Sequence, residues 1–155
     1  MKTHTYTYYL SSSTRDSGTI ANALFNTKMQ TLRENYVGYD LYVDNLTMDT
    51  DELASKNIVF RLTNINQIHS YNSINKSGSN VIATIINTNV TSSRTADVAS
   101  SYQNPNAPIP ISNLPEQMNV LVTTISNSTA LDLTTNSNNW TLKLRIVAHL
   151  PDDMN

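Results

Sequence analysis

Three histidines are the first residues to weigh for chemistry, because an imidazole can shuttle a proton or bind a transition metal near neutral pH. His4, His69 and His149 lie far apart, and no His-x-x-x-His pair would place two of them on one turn of a helix. A zinc site would have to be assembled wholly by the fold. The acidic group Asp44, Asp49, Asp51 and Glu52 brings oxygen ligands together in sequence. It lacks the regular ligand spacing and the loop glycine of a calcium-binding loop, so a solvated turn and helix start is the expectation. The chain has three glycines, Gly18, Gly38 and Gly78, each isolated, whereas nucleophile elbows and phosphate loops need glycines paired at short spacing. There is no cysteine, hence no thiolate nucleophile, no Cys-based zinc site and no disulfide. These residues predict no catalytic residue, no cofactor, no metal and no enzymatic activity.

Surface chemistry points instead to contact. Tyr6, Tyr8, Tyr9, Tyr36, Tyr39 and Tyr42 cluster early in a chain with eight tyrosines. Tyrosine offers amphipathic contact area to a glycan or a protein partner, and it is also a good strand residue. Five Asn-x-Ser/Thr sequons occur, at Asn45, Asn75, Asn89, Asn127 and Asn139. With 21 Asn, 17 Ser and 20 Thr among 155 residues, chance alone gives about that many, so no secretory glycosylation is inferred. The ten basic residues are scattered and the net charge is −2, which leaves no basic stripe for phosphate contacts and disfavours direct nucleic-acid binding. No apolar run reaches the length of a membrane span, and the start lacks the apolar core of a secretory signal, so synthesis in the cytoplasm is expected.

The elements that must carry these residues read as strands. At 155 residues, with 39% hydrophobic and 14% charged, one domain spanning the whole chain is expected. In residues 4–10, Tyr6 and Tyr8 share a face against Thr5 and Thr7, and in 37–46 Leu41 and Val43 oppose Tyr42 and Asp44. Residues 57–63 alternate through Ile58, Phe60 and Leu62 and look buried on one side; 81–86 and 120–125 are short apolar runs. The clearest pattern is 140–149, where Trp140, Leu142, Leu144 and Ile146 alternate with Thr141, Lys143 and Arg145, which predicts a central strand with the first set inward. Helix is thin: a turn or two around 21–25, and one short helix opened by a capping box at Asp49–Glu52 ahead of Leu53 and Ala54. Residues 104–115 hold four of the five prolines and read as an extended crossover or sheet-edge segment, since proline cannot donate to a central ladder. Many strands without alternating long helices predict an all-β sandwich or barrel rather than a βαβ fold.

The N-terminal third carries a resemblance. Tyr8-Tyr9-Leu10 leading into Ser11-Ser12-Ser13-Thr14-Arg15-Asp16-Ser17-Gly18-Thr19, with Asn22 and Phe25 following, resembles the opening of the single jelly-roll minor capsid proteins of large eukaryotic double-stranded DNA viruses, of the chlorovirus and giant-virus kind. The strand from Asn138 to Val147, with Trp140, is similar to their tryptophan-bearing last strand. Together these cover under a quarter of the chain. The resemblance implies an antiparallel β-sandwich of jelly-roll type and a structural subunit of a virion, packed against the major capsid protein and other minor capsid proteins, with self-association as a further option. It makes residues 1–20 a possible N-terminal arm or edge segment. It also makes Tyr6, Tyr8, Tyr9, Arg15, Asp16, Ser17 and Gly18 the candidate interface, where the arginine would fork onto a carboxylate or onto backbone carbonyls and fix the loop or a subunit contact. The alternative is a glycan- or receptor-binding sandwich, lectin-like or a fibre head, that uses its tyrosines and asparagines.

Overall fold

The structure is a computed structural model of the chain, and it describes residues 2–28, 35–50, 57–65, 80–86, 95–99, 108–124, 129–131 and 139–151. Among the described residues the strands follow in the order β1 (Thr3–Ser11), β2 (Ser17–Thr19), β3 (Asn22–Asn26), β4 (Gly38–Thr50), β5 (Asn57–Leu62), β6 (Val81–Ile86), β7 (Thr95–Ala99), β8 (Ile109–Ile111), β9 (Gln117–Thr124) and β10 (Trp140–His149). They form two antiparallel sheets. One runs β1-β10-β4, with β7 and β8 both on the far side of β4; the other runs β2-β3-β9-β5-β6. β7 pairs with the C-terminal end of β4 and β8 with its N-terminal end, so the two share one ladder position.

The pairings nest. The first strand meets the last (β1 with β10), β3 meets β9, β4 meets β7 and β8, and the innermost pair is β5 with β6. This is a folded-over ribbon of strand pairs. Rolling it up adds the closing pairs β10 with β4 and β9 with β5, which is the topology of a jelly roll.

Period-two alternation builds the core from both sheets. Trp140, Leu142, Leu144, Ile146 and Ala148 of β10 are all buried, as are Tyr6, Tyr8 and Leu10 of β1 and Met118, Val120 and Val122 of β9. Trp140 stands edge-on to Phe60 at 5.6 Å between ring centroids and to Phe25 at 6.0 Å, tying one sheet to the other. Its indole Nε1 donates to the Ile20 carbonyl at 2.8 Å, so this large ring is buried without leaving a polar atom unpaired.

β4 runs longer than its simple alternation predicts. Leu41 and Val43 face inward, and so do Leu46 and Met48, which are out of step by one residue. The β4–β10 register shifts between Lys143 and Leu144, which face Asn45 and Val43, leaving Asp44 as the extra residue of a bulge. The bulge resets the phase and lets one 13-residue strand bury two pairs of apolar side chains. β5 departs from its one-sided reading as well. Val59 and Arg61 are buried alongside Ile58, Phe60 and Leu62, so both faces of this central strand are covered. Arg61 donates from Nε to Thr123 Oγ1 at 3.1 Å and from Nη1 to Asn80 Oδ1 at 3.2 Å, and burial pushes its pKa down.

The helical turn expected around residues 21–25 is a strand. Ala21, Ala23 and Phe25 are buried with a period of two, and β3 is paired on both sides. What outweighs the helix propensity of this stretch is the tight β2–β3 hairpin, in which Gly18 sits at φ 86° and a Cβ there would meet the Asn22 carbonyl oxygen at 2.1 Å. Of the expected capping box, Asp49 and Thr50 end β4 as strand, and residues 51–54 lie outside the described residues. The proline-rich stretch supplies β8, which places Pro110 opposite Asp40 at the sheet margin; Pro105 lies outside the described residues.

Candidate interaction surface

Alternation turns the polar partners of the core residues onto the outer face of β1, β10 and β4, and the register arranges them in rows. Ser11, Thr141 and Thr47 form one row; Tyr9, Lys143 and Asn45 the next; Thr7, Arg145 and Tyr42 a third; and Thr5, Val147 and Asp40 a fourth. The first three rows place a hydroxyl or basic side chain of β10 between residues of its two neighbours, and the fourth places Val147 there. Cross-strand pairs of this kind are the natural unit of a sheet surface.

The cations on this face are each held by a ring or a carboxylate. The Arg145 guanidinium lies 4.3 Å from the Tyr42 ring centroid and donates to both Asp44 oxygens, from Nε at 3.1 Å and Nη2 at 3.2 Å. The hydrogen bonds to Asp44 push the Arg145 pKa up, against partial desolvation. The bulge therefore has a second consequence, since Asp44 is the residue it displaces toward Arg145. Lys143 Nζ lies 5.5 Å from the Tyr9 ring centroid, and that ring is 76% exposed. The Thr47 and Thr141 hydroxyls bond each other, and His149 Nε2 meets Asp40 Oδ2 at 2.8 Å. Beside Tyr9 is a depression of about 340 Å³ walled by Ser11, Asn45, Thr141 and Lys143. To a partner this face offers ring faces, an ammonium, hydroxyls and an amide.

The candidate interface residues divide. Tyr6 and Tyr8 are buried in the sandwich, at 9% and 4% exposure, so β1 is one of the molecule's own strands and these two rings are core rather than docking groups. The physical reason is their shared parity with Leu10, which places all three on the inner face. Tyr9, of the opposite parity, stands in solvent, and Ser17 and Gly18 are exposed on β2.

Arg15 and Asp16 turn to the backbone rather than to each other. Arg15 donates from Nε to the Gly18 carbonyl at 3.0 Å and from Nη1 to the Ser12 carbonyl at 2.7 Å. Asp16 Oδ2 accepts from the Asn26 amide at 2.6 Å, and its own amide donates to the Leu24 carbonyl at 2.9 Å. Ser12, fully buried in the 3-10 turn Ser12–Thr14, donates to Asn139 Oδ1 at 2.9 Å and accepts from the Trp140 amide at 3.0 Å. The loop after the first strand is thus fastened to the start of the last. The sequence gives no direct sign of the Ser12 contact, since its partner is more than a hundred residues away.

A second cluster also escapes sequence reasoning. The Tyr36 hydroxyl meets His4 Nδ1 at 2.8 Å and the Tyr6 hydroxyl at 2.7 Å, and its ring tilts against Tyr39 at 5.8 Å. Only the early concentration of tyrosines hints at it. Among the described residues no three His, Asp or Glu side chains gather as they would around a cation, and none of the helices is long and apolar enough to cross a membrane; His69 lies outside them. Compared with known proteins, the chain matches no family model and no curated sequence.

Proposed function

We propose that this chain is a non-enzymatic structural subunit, a jelly-roll domain that works in a viral capsid by packing against major and minor capsid proteins. The observation that carries the reading is the nested strand path, first with last, in which the Arg-Asp-Ser-Gly loop of the resemblance is locked onto the tryptophan-bearing final strand. A loop fixed by Arg15 and Asp16 presents Ser17 and Gly18 in one shape, so a neighbour meets a preformed surface at little entropic cost. Packing needs no cofactor and no reacting group. The test is quantitative mass spectrometry of particles purified from cells in which the chain is made. The chain is expected in the particle fraction at a fixed ratio to the major shell protein; recovery only in the soluble fraction overturns the reading.

The depression beside Tyr9 favours one second reading, a glycan-binding sandwich, because an exposed ring flanked by Asn45, Thr141 and Lys143 supplies stacking and hydrogen bonds to a sugar. A glycan array probed with the purified chain separates the two. Saturable binding that Tyr9→Ala removes would favour the lectin-like reading, and no binding is expected of a shell subunit.

A further inference from the structure

Among the described residues the long edge strand β1 is paired on one side only, by β10, and its other side has a defined chemistry. The Leu150 amide donates to the Lys2 carbonyl at 3.0 Å, so this end of the β1–β10 ladder is set. In an antiparallel ladder alternate residues exchange hydrogen bonds with the neighbour. His4, Tyr6, Tyr8 and Leu10 therefore turn their main-chain groups to β10, and Thr3, Thr5, Thr7 and Tyr9 turn theirs to the open edge. Among the described residues nothing bonds the backbone of Thr5, Thr7 or Tyr9 on that side.

Exposed edges are usually blunted by shortness, charge, proline or a bulge. At two other edges of this molecule that is so: β2 has three residues and a positive-φ glycine, and β8 has three residues with Pro110 in the middle. β1 has nine residues, no charge, no proline and an unbroken register, and it is rich in the threonine and tyrosine that suit strands. Among the described residues it is the longest of the edge strands. Alongside it lies an open cavity of about 360 Å³ whose walls include Thr7, Tyr9, Asp16, Phe25 and Lys28.

The geometry points to a second copy of this chain as the occupant, added edge to edge through β1 about a two-fold axis. Full overlap of the nine residues sets the register: Thr7 faces Thr7 of the other copy, Thr5 faces Tyr9, and Thr3 faces Ser11. In that register the open main-chain groups of Thr5, Thr7 and Tyr9 meet one another, giving about six hydrogen bonds, while Ser11, whose carbonyl accepts from Thr14 Oγ1, ends the ladder. An uncharged strand opposes no like charge in its copy. On the outer face the exposed Tyr9 ring lies across Thr5 of the other copy, an aromatic and β-branched pair of the kind that stabilises sheets. The first sheets of the two sandwiches become one. This inference does not rest on the shell reading, because it is measured on the purified chain in solution.

Sedimentation velocity of the full chain is expected to show a concentration-dependent dimer. Thr7→Lys places two ammonium groups opposite each other, and should weaken association by about tenfold or more while leaving the circular dichroism of the monomer unchanged and lowering its melting temperature only slightly, because Arg145 stands across the ladder from Thr7 within each copy. The chain has no cysteine, so a single introduced thiol reads the register directly. Thr7→Cys should oxidise to a covalent dimer, with opposed Cα atoms about 5.5 Å apart, at least about tenfold faster than Thr3→Cys, whose opposite residue is Ser11. A chain that stays monomeric at all concentrations, a dimer indifferent to Thr7→Lys, or equal oxidation of the two cysteine variants overturns the inference.

Discussion

Parity along a strand decides the fate of neighbouring residues of the same type, as Tyr8 and Tyr9 show. Tyr8 is core and Tyr9 is surface, although nothing in their chemistry differs. Burial, followed by the nearby Tyr6, raises the Tyr8 pKa from 10.0 to about 12. The folded state therefore holds this proton more tightly than the unfolded chain does. Stability from this residue is complete below about pH 10 and is lost as pH rises toward about 12. Tyr8→Phe removes the titration, so its stability should fall less steeply than wild type between those limits, as read by urea titrations at each pH. Leu144 is fully buried at the centre of β10, and Leu144→Ala should cost roughly 2–5 kcal/mol through lost transfer energy and the cavity left behind. Chemical denaturation checks this, and a loss below about 0.5 kcal/mol would place the side chain outside the core.

Among the elements, β1 and the turn that follows it carry the most consequence. As an arm, residues 1–20 would be dispensable for folding. As a strand that contributes Tyr6, Tyr8 and Leu10 to the core and pairs with β10 over nine residues, β1 is not. Deleting residues 1–11 should expose one side of β10 and abolish cooperative unfolding followed by Trp140 fluorescence. A truncated chain that melts at the wild-type temperature would instead return β1 to the role of an arm. The strand patterns in β1, β6 and β10 were legible because each keeps a regular alternation or a compact apolar run. β4 was legible only up to its bulge, where the inward set changes parity. β3 was misread because its short sequence suits a helix turn, and pairing on both sides overrides so weak a local preference.

For the whole molecule, stability rests on two sheets closing over one core, with Trp140 bridging them through Phe25 and Phe60. The His149–Asp40 and His4–Tyr36 contacts give each of these histidines a protein partner. A fold held this way should need no metal. Thermal unfolding with and without a chelator should coincide, and a chelator-induced drop of several degrees would reveal a structural ion.

The sequence by itself determined the class and much of the core. Alternation, scarce glycine and an abundance of Asn, Ser and Thr specify short strands with polar turns, and Trp140, Leu142, Leu144 and Ile146 could be placed inward from spacing alone. Local pattern carries no information about which strands become neighbours, because strand pairing is decided by contacts between residues far apart in the chain. Only the tertiary structure brought β1 beside β10, turned Arg15 and Asp16 to the backbone of Ser12, Gly18 and Asn26, and fastened Ser12 to Trp140. Among the described residues it also paired β1 on one side only, a property of the sheet as a whole that no single strand can express.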